Sequence, residues 1–482
     1  MFTSKQILKR ILLLSFSGEW KEFKISLQGK TEKVSWKFIE DLHNLQDKEG
    51  FLLANKLNTN HVQWEMHKMN VKYAAQTMSS SVANAIEFLR DDLKSPDFKE
   101  SEGTVTFIRS VDRAFDILNS RTPRASGYKS PLSSKNIGMC EKSLRETADM
   151  LLGATTGKGQ KIINSRRKTG FICFAASIKS ILAISRGLLL RPINPLKYVL
   201  TYRFSQDHIE VFFSCVRGRY GWNNNPDSLQ FRSALQSMLF KNAVKGSLNA
   251  NCVQFDQTAQ TPLFTIKWSK RIAPVMQSNP DDTEALNLDE SMMRRSVYKE
   301  NVLYYIAGFI TRRMLAVITC SVCATAIQRQ NVQALSEHNY HSIITADYCK
   351  LTERKDNGGL KFASYGIFKI VQVCEKLFQA FVLDNAKKIT AEHGICKRII
   401  LKCVKEVSSS LDSYFPMLSN HGLTEDPGCE DSHTMQLVKE TAKQYAKLRL
   451  QTYAKFYNRV VVNKRQASIR HKMTKTVLFK NQ

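Results

Sequence analysis

The chain has 482 residues, with 71 Lys and Arg against 43 Asp and Glu, and a formal net charge of +28. Hydrophobic residues make up 43% and charged residues 24%, which excludes an intrinsically disordered chain; the length accommodates roughly two to four domains of ordinary size. So large a basic surplus points to a polyanion, either nucleic acid or an anionic membrane surface.

Taken in chain order, the apolar run Ile11–Phe16 is too short for a signal-peptide core and reads as an amphipathic segment. Trp20–Leu27 reads as a strand carrying Glu22. Ser35 is placed to cap a helix over Trp36–Leu45. Another helix is predicted from near Val71 to Leu93, stopped by Pro96. Thr104–Leu118 and Ile172–Leu190 have the same periodicity, and Asn119–Ser134 is a Ser-, Pro-, Gly- and Arg-rich loop. Residues 247–300 carry Pro262, Pro274, Pro280 and an acidic patch, and read as a linker. Beyond them Val302–Val317, Tyr365–Asn385, Cys396–Leu411 and Met435–Val460 predict a helical C-terminal domain. No stretch reaches the ~18 apolar residues of a membrane span; the best candidate, Leu303–Ile318, is interrupted by Arg312 and Arg313. No membrane partner is expected. Eleven scattered cysteines, an odd count, fit a reducing compartment, and with the basic charge favour the nucleus.

Charge is concentrated at the end. Thr441–Gln482 holds eleven Lys or Arg, among them Lys464, Arg465, Arg470 and Lys472, and no Asp or Glu. Tyr445, Tyr453, Phe456, Tyr457 and Phe479 are interleaved, which suits phosphate contacts combined with stacking on bases. The competing reading is a solvated basic helix face with its aromatics in the core. Gly153-Ala-Thr-Thr-Gly-Lys-Gly159 has the wrong spacing for a phosphate-binding loop, and Asn55-Lys-Leu-Asn58 is only superficially like a guanine-reading motif.

The richest stretch is Phe204-Ser-Gln-Asp-His-Ile-Glu-Val-Phe-Phe213. With Ser205 as cap, Asp207 and Glu210 share one helix face, and Ile209, Phe212 and Phe213 form the opposite, buried face. Two carboxylates on an anchored helix suit Mg2+. Arg217-Gly-Arg-Tyr-Gly-Trp-Asn-Asn-Asn-Pro226 follows. In this order the blocks resemble those of the P-element type of DNA transposase and its THAP-containing relatives. Further blocks extend the likeness from about residue 34 to the C-terminus, among them Val34-Ser-Trp-Lys-Phe-Ile-Glu40, Phe115-Asp-Ile-Leu-Asn-Ser120, Tyr305-Ile-Ala-Gly-Phe309 and Asp356-Asn-Gly-Gly-Leu360.

The resemblance implies a mainly α chain. It comprises a non-matching segment (1–33), an all-helical GTP-binding insertion (34–198), the C-terminal part of an RNase H-like α/β nuclease fold (199–246), a linker (247–300) and a helical basic C-terminal domain (301–482). It implies GTP as a positioning cofactor contacted by Phe115, Asp116 and Asn119, with Asp207 toward the nucleotide and metal region. It further implies Glu210 as the catalytic Glu of a two-Mg2+ site, and DNA contacts by Arg217 and Arg219. Family members also carry an N-terminal zinc domain and two early catalytic Asp. The first 33 residues here hold Glu19, Glu22 and Glu32 but no Asp, so the expectation is a catalytically incomplete transposase or transposase-derived protein. The alternative is a non-catalytic DNA- or chromatin-binding factor. A homo-oligomer is compatible with either. Independently of the family, Cys320-Ser-Val-Cys323 and His338-Asn-Tyr-His341 have a spacing close to that of a zinc finger, which makes Zn2+ a candidate ligand; the competing reading is a buried pair of thiols with unrelated histidines.

Overall fold

Alternation creates the first strand. Phe23 and Ile25 are buried while Glu22, Lys24 and Ser26 are exposed, the period of two that a one-sided sheet requires. β1 (Glu22–Leu27) pairs antiparallel with β2 (Lys30–Ser35), in register from Glu22↔Ser35 to Leu27↔Lys30. Gly29 in the connecting turn has φ 84°, a conformation that favours glycine. β3 (Thr155–Thr156) completes a sheet of order β2-β1-β3.

The structure is a computed structural model and describes residues 22–27, 29–63, 71–166, 168–219, 225–241, 297–329, 348–383, 394–418 and 432–460. Two compact units divide the chain, Met1–Arg294 and Arg295–Gln482.

In the first unit β2 runs straight into α1 (Lys37–Glu49). The capping position is Trp36, fully buried, rather than the expected Ser35, which ends the strand. The Ser35 N–H donates to Thr104 Oγ1 (3.0 Å), and its hydroxyl accepts from the Lys37 N–H (3.3 Å). After the single-turn α2 (Thr59–Val62), the helix expected over Val71–Leu93 is broken into α3 (Val71–Thr77), α4 (Ser80–Glu87) and a π turn (Phe88–Asp92). Ser79 is extended at the break, and the Asp112 carboxylate accepts from both the Ser80 N–H (2.8 Å) and hydroxyl (2.7 Å). A remote acid thus satisfies a helix start that local periodicity does not reveal.

α5 (Glu102–Leu118), α6 (Ile137–Gly153) and α7 (Lys168–Leu189) pack around the sheet. The Phe23 ring meets Phe107 and Phe171 edge-on, at 5.1 and 6.0 Å between centroids. α7 corrects one sequence expectation: by length and composition it is long and apolar enough to cross a bilayer, whereas the sequence reading singles out 303–318. Here one face, Phe171, Phe174, Ile178 and Ile181, is buried in the unit, and Lys179, Ser180 and Arg186 line the exposed side. α8 (Asp207–Gly218) and α9 (Ser228–Lys241) close the unit around Val216, Ala234 and Met238.

The second unit begins with α10 (Val297–Leu315), which starts inside the stretch expected to be linker; residues 247–296 of that stretch lie outside the described residues. It continues through α11 (Ser321–Ala326), α12 (Lys350–Lys355), α13 (Tyr365–Phe378), α14 (Ile395–Val407), α15 (Leu411–Tyr414) and the long α16 (His433–Val460). α13, α14 and α16 pack on one another. Their core encloses a polar network in which Glu375 accepts from Arg449 Nε (2.9 Å) and from the Tyr445 hydroxyl (2.6 Å). Tyr445 and Arg449, read from sequence as part of a nucleic-acid-binding tail, are therefore core residues. Asp356 Oδ1 accepts the N–H groups of Gly358, Gly359 and Leu360 (2.9–3.1 Å), so the Asp-Asn-Gly-Gly block closes the turn after α12. These bonds hold the Asp356 carboxyl below its ordinary pKa.

Candidate functional site

The end of α5 is joined directly to the segment that precedes α8. The Ser120 N–H donates to Thr201 Oγ1 (3.1 Å), the Thr201 hydroxyl to the Ile117 carbonyl (2.6 Å), and the Tyr202 N–H to the Ser120 carbonyl (3.1 Å). The Ser120 hydroxyl donates to the Lys129 carbonyl (2.9 Å), tying in the following loop. The three bonds between Ile117–Ser120 and Thr201–Tyr202 satisfy groups at the end of α5 with partners 81 to 84 residues away, whereas the Ser120–Lys129 bond is local.

This junction collects chemistry-bearing side chains. The Arg121 guanidinium lies over the Tyr202 ring at 4.3 Å, approaches Asn119 Oδ1 at 3.4 Å and reaches to 4.0 Å from Asp207. Tyr202 meets His208 edge-on at 5.0 Å. Burial, with Arg203 and Arg121 nearby, holds His208 below its ordinary pKa despite the opposing Asp207 charge. Asp116, on the last turn of α5, faces Lys129 at 3.8 Å, and Phe115 beside it is half-buried.

The orientation of α8 departs from the sequence reading. Its cap position is Gln206, not Ser205. Asp207 is buried at 2% exposure, with Val211 and Val216, while Ile209 and Phe213 are 58% and 43% exposed. The expected buried face of Ile209, Phe212 and Phe213 is thus wrong for Ile209 and Phe213; Phe212 packs toward α9. The physical reason is Arg121: a guanidinium from the α5 end makes burial of the Asp207 carboxylate tolerable, and α8 turns that side inward. Glu210 is half-buried and accepts from Gln206 Nε2 (3.0 Å). Among the described residues no group of three or more His, Cys, Asp or Glu converges at Glu210, so the donor set for a pair of Mg2+ ions is not assembled there. Arg219 donates to Ser237 on α9, which commits it to helix packing, and Arg217 is half-buried. Lys464, Arg465, Arg470 and Lys472 lie outside the described residues.

In the second unit the ligand atoms of Cys320, Cys323 and His433 all lie within 4.8 Å of one another. Burial and the adjacent Cys320 push the Cys323 thiol up to about 12. The other two expected ligands, His338 and His341, lie outside the described residues. His433 had no signal in sequence, being 110 residues from Cys323.

Family profiles match three parts of the chain: the TNP-like GTP-binding insertion domain over residues 16–131, the TNP-like RNase H C-terminal domain over 202–235, and the C-terminal domain of DNA transposase THAP9 over 294–455. The chain belongs to the P-element/THAP9 transposase family. Human DNA transposase THAP9 is 23% identical over 443 residues, which cover 89% of this chain and 47% of that protein. The Drosophila melanogaster transposable element P transposase is 25% identical over 305 residues, 60% of this chain and 38% of its own length. The chain therefore spans less than half the length of these curated relatives. A solved Drosophila P element transposase strand transfer complex aligns over 50% of this chain and 51% of that one, at 23% identity and a TM-score of 0.40.

Within this P-element/THAP9-type chain the insertion match begins at residue 16, so the β1–β2 hairpin falls inside it. Phe115, Asp116, Asn119 and Arg121 belong to the GTP-binding insertion, and Tyr202, Asp207 and Glu210 to the RNase H C-terminal part. The α5–Thr201 junction is where these two domains meet. Arg121, Tyr202 and His208 were not singled out as site residues from sequence; the density of Arg in the 119–134 loop was the one available signal. Asn58, in the motif superficially like a guanine reader, caps α2 by accepting from the Asn60 N–H (3.0 Å).

Proposed function

We propose that this chain is a transposase or transposase-derived protein that acts on DNA in the nucleus, and that it binds guanine nucleotide at the α5 end without being a complete nuclease by itself. The observation that carries the reading is the junction: Asn119, Arg121 and Asp207 come from two domains and stand in one cluster, and Asp116, one turn earlier on α5, faces Lys129 of the adjoining loop. Asp116 is the carboxylate on this surface suited to accept the two N–H donors of a guanine edge, and Phe115 offers a ring for the base. Arg121 supplies a fixed positive charge for phosphate. Asp207 serves here by holding Arg121 rather than by meeting ligand. DNA contact falls to the basic residues of the tail beyond α16, Lys464, Arg465, Arg470 and Lys472, with Arg217 beside the first unit's basic turn.

A second reading, a non-catalytic DNA- or chromatin-binding factor, is favoured by the absence of an assembled carboxylate cluster around Glu210 among the described residues. Both readings predict salt-dependent DNA binding. They separate on guanine nucleotide: calorimetric titration of the full chain with GTP should give binding that Asp116→Ala or Arg121→Met weakens at least tenfold, with ATP binding much more weakly. No measurable GTP affinity in the wild type would leave only the second reading. A nicking assay on a matched transposon end is expected to show no Mg2+-dependent cleavage; cleavage abolished by Glu210→Ala would overturn the incomplete-nuclease assignment.

A further inference from the structure

We propose that Cys320, Cys323 and His433 form a zinc centre that staples the start of α11 to the start of α16. Cys320 is the residue that caps α11 and Cys323 is the third residue of that helix, so the two-residue gap turns both thiols to the same side of one helix start. His433 is the first residue of α16 and brings Nδ1 to 3.6 Å from Cys323 Sγ. A tetrahedral zinc with Zn–S of about 2.3 Å and Zn–N of about 2.1 Å requires its sulfur and nitrogen ligands to stand about 3.6 Å apart, and two sulfurs about 3.8 Å apart. The three ligand atoms, all within 4.8 Å of one another, already approach that spacing.

Ligand chemistry selects the metal. Two thiolates with one imidazole favour zinc over the hard cations, which take oxygen. The donors come from positions 110 residues apart, so no local turn explains their meeting. Cys323 is buried at 3% exposure while Cys320 and His433 are half-exposed, which gives an entry path for the ion and one tetrahedral position open to a further donor. The staple closes a long stretch of chain and fixes where α16 begins, and through α16 the Glu375–Tyr445–Arg449 network.

Metal analysis of the purified full chain tests this. One zinc per chain is expected, with X-ray absorption at the zinc edge counting two sulfur neighbours. Cys320→Ser and His433→Gln should each lower zinc content at least tenfold at a fixed level of competing chelator. Cys320→Ser is the telling variant, because Ser is a better helix cap than Cys and the fold should survive the change; far-UV circular dichroism checks that it does. Chelation of the wild type should also increase hydrogen exchange in the first turns of α16. The assignment is overturned if the folded wild type takes up no zinc from a Zn2+ buffer. It is equally overturned if His433→Gln keeps full zinc while replacement of His338 and His341 removes it.

Discussion

Replacing Glu375 by Gln removes the negative charge from an ion pair whose side chains are only 5% and 7% exposed. Arg449 holds both carboxylate oxygens, at 2.9 and 3.1 Å, and the Tyr445 hydroxyl donates to one of them at 2.6 Å. At an effective dielectric near 20 the Coulomb attraction at this separation is about 6 kcal/mol. Desolvation of the two ions offsets most of it, so the pair is worth little against apolar replacements, whereas a guanidinium left without its partner costs about 3–5 kcal/mol. Glu375→Gln is therefore expected to destabilise the second unit by roughly 3–5 kcal/mol. The triple change Glu375→Leu, Arg449→Met, Tyr445→Phe should recover to within about 2 kcal/mol of wild type, because no charge or hydroxyl is then left buried alone. Hydrogen exchange of peptides from α13 and α16 in the full chain, followed against urea, measures local opening without assuming one transition for both units. A loss below about 1 kcal/mol for the single change, or a triple variant as damaged as the single one, would refute the account.

Three further outcomes are expected. His208 has a folded pKa below its ordinary 6.5, so the unfolded chain takes up that proton first. Its contribution is therefore neutral well above that value, grows destabilising as pH falls from there to the folded pKa, and levels off below it; NMR titration of the imidazole, with His208→Gln removing this component of the pH profile, checks the sign. Gly308 lets α10 approach the Lys361 carbonyl more closely than a Cβ permits, so Gly308→Val should cost about 1–3 kcal/mol by overpacking, read as a lowered melting midpoint. Phe23→Ala removes the ring that meets Phe107 and Phe171 and should cost about 3–5 kcal/mol in chemical denaturation, more than the exposed Phe213→Ala on α8.

The exposed side of α8 shows what sequence periodicity measures. It registers that Ile209, Phe212 and Phe213 are apolar and that Asp207 and Glu210 are acidic, and it assigns the apolar set to the core. Burial of Asp207 depends on a guanidinium delivered from the end of α5, and a helical period carries no information about partners on other elements. Arg449 departs from the sequence reading for the same reason: an acid-free basic run looks solvated until Glu375, 74 residues earlier, is seen beside it, while Tyr445 takes the core position that the competing reading gives the aromatics.

What the sequence by itself determined is considerable. The order of blocks from Val34 to Leu360 places the chain in its family, and the helical period locates α5, α7, α10, α13, α14 and α16 to within a few residues, because both are carried by local residue identity and spacing. Only the tertiary structure decided where those helices break, which way α8 faces, and which side chains converge. The Asp112 cap on Ser80, the Arg121–Asp207 approach and the meeting of His433 with Cys320 and Cys323 all join residues distant in the chain. Such partnerships come from packing, where each buried polar group takes whatever counterpart the fold brings to it.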